Sequence, residues 1–182
     1  MVIRSEWILD TAADVLLRRP DATMSTIAAA AGISRTTLHS RYPTRDDLLE
    51  ALAVDTLARM RSGMAAVDWS LAREPADVLA DLWAVLQPLS TRAAFLRSVP
   101  AHEAPEVSAG WEAAFTPWGI YVAQLQATGR VRDDLPLRWL IGCVVGLLFA
   151  AFDEVDTGEL GAAQAGRLVA TSWLAIAAPA GT

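Results

Sequence analysis

Lysine is absent from this chain; all fifteen basic residues are arginine. Cysteine occurs once, as Cys143, and histidine twice, as His39 and His102. A lone thiol cannot close an internal disulfide and suits a reducing compartment. One Cys and two His are also too few for a structural zinc site. No metal and no cofactor is expected, and no glycine-rich phosphate loop is present. The apolar run Trp139–Phe152 falls short of the ~20 residues that cross a bilayer. Glu6, Asp10 and Asp14 interrupt the N-terminus as a secretory signal. The sequence therefore predicts a cytoplasmic protein with no membrane partner. Strand alternation does not persist over any useful length, and there is no internal repeat or low-complexity tract.

What is present is apolar residues, at 53% of 182, enough for one compact unit or two small ones. The net charge is −6, but it is unevenly spread. Residues 51–182 hold 9 arginines against 14 acids. From Ala22 to Arg45 there is no acid, while Arg35, His39, Arg41 and Arg45 cluster there. An acidic protein can still bind nucleic acid when its positive charge is concentrated in this way.

The same stretch, Thr23 to Leu49, carries start and stop signals for helices. Thr23 is an N-cap residue ahead of an alanine-rich helix containing Ile27 and Ala28. Gly32 ends that helix, because glycine takes a left-handed conformation at little cost. Ser34 caps a second short helix in which Leu38 faces inward, and Tyr42-Pro43 closes it. Thr44 caps a third helix, with Asp47 three residues on in a variant of the capping box. Helix, glycine turn and helix predict a helix-turn-helix. Its second helix would offer Arg35, Thr36 and Thr37 to base edges, arginine to guanine and threonine through hydroxyl and methyl. His39, Arg41 and Arg45 are expected at phosphates. Thr23, Ser25 and Ser40 complete the expected DNA-facing set. Taken singly, each arginine is more simply a solvated charge. The caps, the glycine and the gap in acidic residues together favour DNA.

Residues Ile8 to Leu49 resemble the DNA-binding domain of the TetR (tetracycline-repressor-like) family of bacterial regulators. The resemblance rests on Ile8-Leu9-Asp10-Thr11-Ala12-Ala13, Thr23, Ile27-Ala28, Ala31-Gly32-Ile33-Ser34, Thr37-Leu38-His39, Tyr42 and Arg45-Asp46-Asp47-Leu48-Leu49. The chain departs from the family's habit at His39, Tyr42 and Arg45, where tyrosine, phenylalanine and lysine are common. It departs also at Arg19-Pro20-Asp21, where glycine is usual, and only Arg4 remains of a basic N-terminal arm. The resemblance implies an all-α fold: a three-helix helix-turn-helix domain over 1–47 and a helical bundle over 48–182 for dimerisation and effector binding.

Beyond Leu49 the apolar spacing is helical throughout. The third helix is expected to reach about Ala66, through Leu49, Leu52, Ala53, Leu57, Met60 and Met64. Further helices are expected over Pro75–Leu86, Thr91–Val99, Glu106–Thr128, Pro136–Glu154 and Ala162–Ala177. Gly142, Gly146 and Ala150 recur every four residues, as do Ala162, Gly166 and Ala170. Such stripes let helix backbones approach closely, within one protomer or across a dimer. The resemblance implies the dimer, a four-helix bundle made from the last two helices of each chain. Trp83, Phe95, Trp111, Phe115, Trp118, Tyr121 and Trp139 are candidates for an apolar effector pocket, against the simpler reading of core filling. Arg97, His102, Glu103, Glu106 and Gln124 are candidate polar contacts for it.

The expected function is a sequence-specific regulator, a repressor released from a palindromic double-stranded operator by a small lipophilic or aromatic effector. Two alternatives stand beside it. One is a regulator whose C-terminal domain senses a protein partner or nothing. The other is a small helical enzyme using His102 and Glu103, which the lack of a nucleophile or metal set disfavours. The chain is not expected to be an enzyme.

Overall fold

The computed structural model describes residues 5–98 and 105–179. Among these residues nine α-helices and one 3-10 turn follow one another: α1 (Ser5–Arg18), α2 (Met24–Ala30), α3 (Arg35–Arg41), α4 (Arg45–Ala66), α5 (Pro75–Leu86), the turn Gln87–Leu89, α6 (Ser90–Ser98), α7 (Pro105–Ala127), α8 (Leu137–Asp156) and α9 (Ala162–Ala177). No strand occurs among the described residues. The fold is all-α, as the spacing of apolar residues predicts. Arg4, His102 and Glu103 lie outside the described residues.

The chain divides into two compact units, Met1–Arg59 with Thr91–Trp111, and Met60–Ser90 with Glu112–Thr182. The first unit extends past residue 47 because Leu48, Leu52, Ala53 and Leu57 of α4 share its core with Ile8, Leu16, Ile27 and Leu38. Phe95 and Leu96 of α6 enter the same core, with Val107 and Trp111 packed against it. A buried arginine ties the layers. Arg92, 3% exposed at its side chain, pairs through Nε with Asp10 at 2.6 Å and through Nη1 with Asp55. Its Nη2 donates to the Glu6 carbonyl at 3.1 Å. Arg59 adds bonds to Asp55 at 2.8 Å and to Glu6 at 2.7 Å. Each carboxylate thus answers a guanidinium, which keeps the buried charge of Arg92 compensated.

The second unit packs α9 against both α5 and α8. Leu140, Val144, Leu148, Phe149, Ala151 and Phe152 form the buried stripe of α8. Ala165, Gly166, Val169, Ala170 and Trp173 form that of α9. Gly166 is required by this packing: a Cβ there would lie 2.6 Å from Trp83 Cδ1. Trp173 Nε1 donates to the Leu140 carbonyl at 2.9 Å and so pins α9 to α8. Arg130 donates to the Leu71 and Arg73 carbonyls at 2.5 and 3.2 Å, holding the connection between α4 and α5.

Candidate nucleic-acid interface

Helices α2 and α3 are set by local chemistry. Thr23 Oγ1 accepts from the Thr26 N–H at 3.2 Å, and Ser34 Oγ accepts from the Thr37 N–H at 3.0 Å. Gly32 turns the chain at φ +60°, the conformation for which glycine is suited. Tyr42 is extended ahead of Pro43 at φ −132°, ψ 92°, and ends α3. Burial pushes the Tyr42 hydroxyl pKa above its ordinary value. At the start of α4 the box is reciprocal: Asp47 Oδ2 accepts from the Thr44 N–H at 2.8 Å and from its hydroxyl at 2.7 Å, while Thr44 Oγ1 accepts from the Asp47 N–H at 3.1 Å. The Thr44 hydroxyl, then its N–H, hold the Asp47 carboxyl below the usual range. The carboxylate also lies at a helix N-terminus, where negative charge is favourable.

Leu38 is fully buried, which turns the opposite side of α3 outward. Arg35, Thr36, Ser40 and Arg41 are exposed, and Thr37 and His39 are half-buried. Arg35 Nε donates to His39 Nε2 at 3.3 Å. Nε2 must then be the acceptor, so the ring proton sits on Nδ1, which is 3.0 Å from the Pro43 carbonyl and donates to it. His39 is thereby a strut that holds Arg35 by its Nε. The Thr37 hydroxyl lies 2.8 Å from Ser34 Oγ, and Ser40 Oγ donates to the Thr37 carbonyl at 2.9 Å. Those two hydroxyls serve the helix itself. Thr23 and Ser25 are exposed at the start of α2. Arg45 differs most from expectation. Its Nη1 donates to the Ala22 carbonyl at 2.5 Å and its Nη2 to the Pro20 carbonyl at 2.6 Å. This guanidinium fastens the loop between α1 and α2 to α4.

The seven aromatics expected to line one pocket are divided between the two units. Phe95 and Trp111 belong to the core of the first unit. Trp83, Phe115, Trp118 and Tyr121 are buried in the second. Trp139 is 60% exposed, because it precedes the buried α8 stripe at Leu140 by one residue, about 100° around the helix. Trp83 packs on Phe152 with centroids 5.4 Å apart, and Trp118 on Trp173 at 4.9 Å. Trp69, in the connection after α4, lies 6.1 Å from Trp118 and 5.8 Å from Tyr121. Sequence reasoning missed Trp69, Trp173 and Arg92. Arg92 was discoverable, since it shares i, i+3, i+4 spacing with Phe95 and Leu96. Of the candidate polar contacts, Arg97, Glu106 and Gln124 are exposed.

The two stripes of small residues have different surroundings. Gly142, Gly146 and Ala150 are exposed, and a Cβ at either glycine would meet nothing within 4 Å. Cys143 beside them is half-buried. On α9, Ala162 is exposed while Gly166 and Ala170 are buried, Gly166 beneath Trp83 of the same chain. A recess of about 140 Å³ lies among Leu147, Ala150, Ala151, Ala165, Leu168 and Val169. No group of three metal-binding side chains occurs among the described residues. No helix among them is long and apolar enough to cross a membrane.

A capped pair of short helices joined at a glycine, the second presenting an oriented arginine over a buried leucine, defines the first unit as a helix-turn-helix. Residues 8–52 match the family described as bacterial regulatory proteins, tetR family. Over 46 residues the chain is 56% identical to the HTH-type transcriptional repressor LfrR of Mycolicibacterium smegmatis, covering 25% of this chain and 24% of that protein. The chain thus matches about a quarter of the length of this relative. The crystal structure of the TetR-like regulator LfrR from Mycobacterium smegmatis in complex with proflavine is similar over 92% of this chain and 93% of that one, with TM-score 0.75 and 25% identity. The TetR-family regulator PfmR of Thermus thermophilus shares the fold over 92% and 97%, with TM-score 0.72 and 14% identity. Residues 8–52 thus match the DNA-binding segment of the tetR family, and the chain as a whole shares the fold of TetR-like regulators.

Proposed function

We propose that this protein is a sequence-specific DNA-binding repressor that leaves a palindromic operator when a small lipophilic or aromatic effector binds. The observation that carries the reading is the Arg35–His39–Pro43 relay on the exposed side of α3. An arginine held by its Nε keeps two parallel N–H groups for the O6 and N7 of guanine, the commonest specific contact in the major groove. Thr36 is its neighbour at the base edges. Arg41, Ser25 and Thr23 are assigned to the phosphate backbone, which fixes register. His39, Ser40, Thr37 and Arg45 act in this reading as supports of the interface, each through its own hydrogen bond. DNA contact is confined to 1–47, while effector binding and dimerisation fall to 48–182.

A palindromic operator requires two heads one helical turn apart, ~34–36 Å, or a multiple of it. The open stripe of α8, with exposed Trp139 on the same helix and Leu168 on α9, is the surface assigned to a second copy. The ligand-bound relative, LfrR with proflavine, supports a ligand-responsive reading. A repressor of this kind acts where the bacterial DNA is, in the cytoplasm. The test is selection of bound sequences from a random DNA pool at moderate salt. A palindrome is expected. Binding that selects no sequence and vanishes as salt rises sinks the proposal, because the arginines then supply only counterion release. With an operator in hand, Arg35→Ala should cost about 1–3 kcal/mol and relax base preference at one position of each half-site.

A further inference from the structure

The second unit holds four aromatic side chains that carry a polar hydrogen and pack together: Trp69, Trp118, Tyr121 and Trp173. Two of them are satisfied by the chain. Trp69 Nε1 donates to the Met64 carbonyl at 2.9 Å, and Trp173 Nε1 to the Leu140 carbonyl at 2.9 Å. The other two are not: Trp118 Nε1 and Tyr121 Oη are buried with no hydrogen-bond partner. Buried polar groups are ordinarily paired, because leaving one unpaired forfeits its hydration. Here the two orphans lie three residues apart on one helix, so they face the same neighbourhood. An indole N–H can only donate, so whatever answers Trp118 must be an acceptor.

We infer that these rings form a closed aromatic subsite whose resident occupant is the chain's own Trp69 indole, and that its ligand is a neutral, flat aromatic molecule bearing one strong hydrogen-bond acceptor. The inference rests on the ligand-responsive reading above and names the ligand class. Trp118, Tyr121 and Trp173 are fully buried on helices, whereas Trp69 is half-buried in the connection between α4 and α5. One hydrogen bond holds the Trp69 indole, while Arg130 grips the connection two and four residues further on, at Leu71 and Arg73. The indole can therefore swing out without releasing the connection. Its ring stands tilted at 58° to Trp118 and 54° to Tyr121, in the position a bicyclic ligand would take.

The charge of the ligand follows from the neighbours. Two cations bear on Tyr121, Arg130 and Arg73, and each is paired, with Glu74 at 3.8 Å and Asp81 at 2.6 Å. The surroundings are near neutral, and both nearby carboxylates are already engaged, so a cationic ligand gains no counter-ion there. Burial pushes the Tyr121 hydroxyl pKa up, so the group stays protonated and able to donate.

The test uses the full chain and three probes: coumarin, which is flat, neutral and carries a carbonyl; naphthalene, which lacks any acceptor; and proflavine, which is a cation. Calorimetric titration should show coumarin binding the wild type about tenfold more tightly than naphthalene, the worth of one hydrogen bond. Proflavine should compete poorly with coumarin. Tyr121→Phe should melt at the same temperature or higher, having lost an orphan, yet bind coumarin about tenfold more weakly. Trp69→Ala should bind coumarin more tightly, because no resident indole has to be displaced. Should Trp69→Ala fail to fold, Tyr121→Phe still decides the question. Equal affinity for coumarin and naphthalene, no coumarin binding, or a Tyr121→Phe variant that loses stability but not affinity overturns the subsite. Operator binding is measured on the same samples. An operator bound normally with coumarin ignored rejects the subsite alone, whereas coumarin bound by a chain that selects no operator rejects the repressor reading and leaves the subsite standing.

Discussion

Arg45→Ala separates a tether from a DNA contact. In the folded chain the Arg45 guanidinium makes two charge-assisted hydrogen bonds, to the Ala22 and Pro20 carbonyls at 2.5 and 2.6 Å. Bonds of this kind contribute roughly 1.5–3 kcal/mol each when fully buried. The side chain here is half-buried, so water can reach the released carbonyls, and the loss for both bonds is set near 2 kcal/mol. For a chain of this length that corresponds to a fall in Tm of roughly 4–8 °C. The assay is thermal unfolding followed by circular dichroism, together with operator affinity measured across a range of salt. A tether lowers Tm and leaves the slope of log K against log salt unchanged. A phosphate contact does the reverse, reducing the slope by about 0.9 per protomer, or about 1.8 for a dimer on its operator, while Tm stays put. Arg41→Ala, at an exposed position on α3, is the comparison for the salt slope, which it should reduce. An Arg45→Ala variant with wild-type Tm and a shallower slope refutes the reasoning.

Other perturbations test the remaining assignments. Arg92→Met should lose about 2–4 kcal/mol in urea unfolding, toward the low end of breaking a buried pair because Asp10 stays solvated and Asp55 keeps Arg59; a loss below about 0.5 kcal/mol would remove the network from the account of stability. Asp47 has a folded-state pKa below the ordinary value of an aspartate, so its contribution is complete above that ordinary value and disappears as pH falls through the lower folded one. The stability difference between wild type and Asp47→Asn should accordingly be constant near neutrality and shrink only in acid; a difference that grows on acidification contradicts the sign. Gly166→Ala should destabilise the chain by roughly 1–3 kcal/mol through overpacking on Trp83. Gly146→Ala meets open space within the chain and should leave the fold intact while weakening self-association in sedimentation; unchanged self-association would move the dimer surface elsewhere.

What the sequence made legible was local. Caps at Thr23, Ser34 and Thr44, the turn at Gly32 and the stop at Tyr42-Pro43 act over three or four residues, and each is found where the pattern put it. The helical spans after Leu49 follow from apolar spacing for the same reason. What stayed hidden was the choice of distant partner. Arg45 reads as a free cation because its acceptors, Pro20 and Ala22, are more than twenty residues away. His39 reads as a second cation, although its two ring nitrogens are engaged by Arg35 and Pro43. The stripes on α8 and α9 share one spacing, yet only packing decides that Gly166 lies under Trp83 while Gly142 and Gly146 stay open. The aromatic residues show the same limit: helical phase places a ring on a face but does not say which unit that face joins.

The insertion of α6 into the core of α1 to α4 bears on synthesis. The helix-turn-helix is complete in sequence by residue 52, yet Arg92, Phe95 and Leu96 complete its ion pairs and its core. A nascent chain leaving the ribosome therefore holds its DNA-reading segment unfinished while some forty further residues are made, with Asp10 and Asp55 awaiting their buried cation. Domains built from contacts this distant close late. A fragment that stops after α4 lacks those closing residues, and any exchange of DNA-reading heads between relatives must carry α6 along with the head.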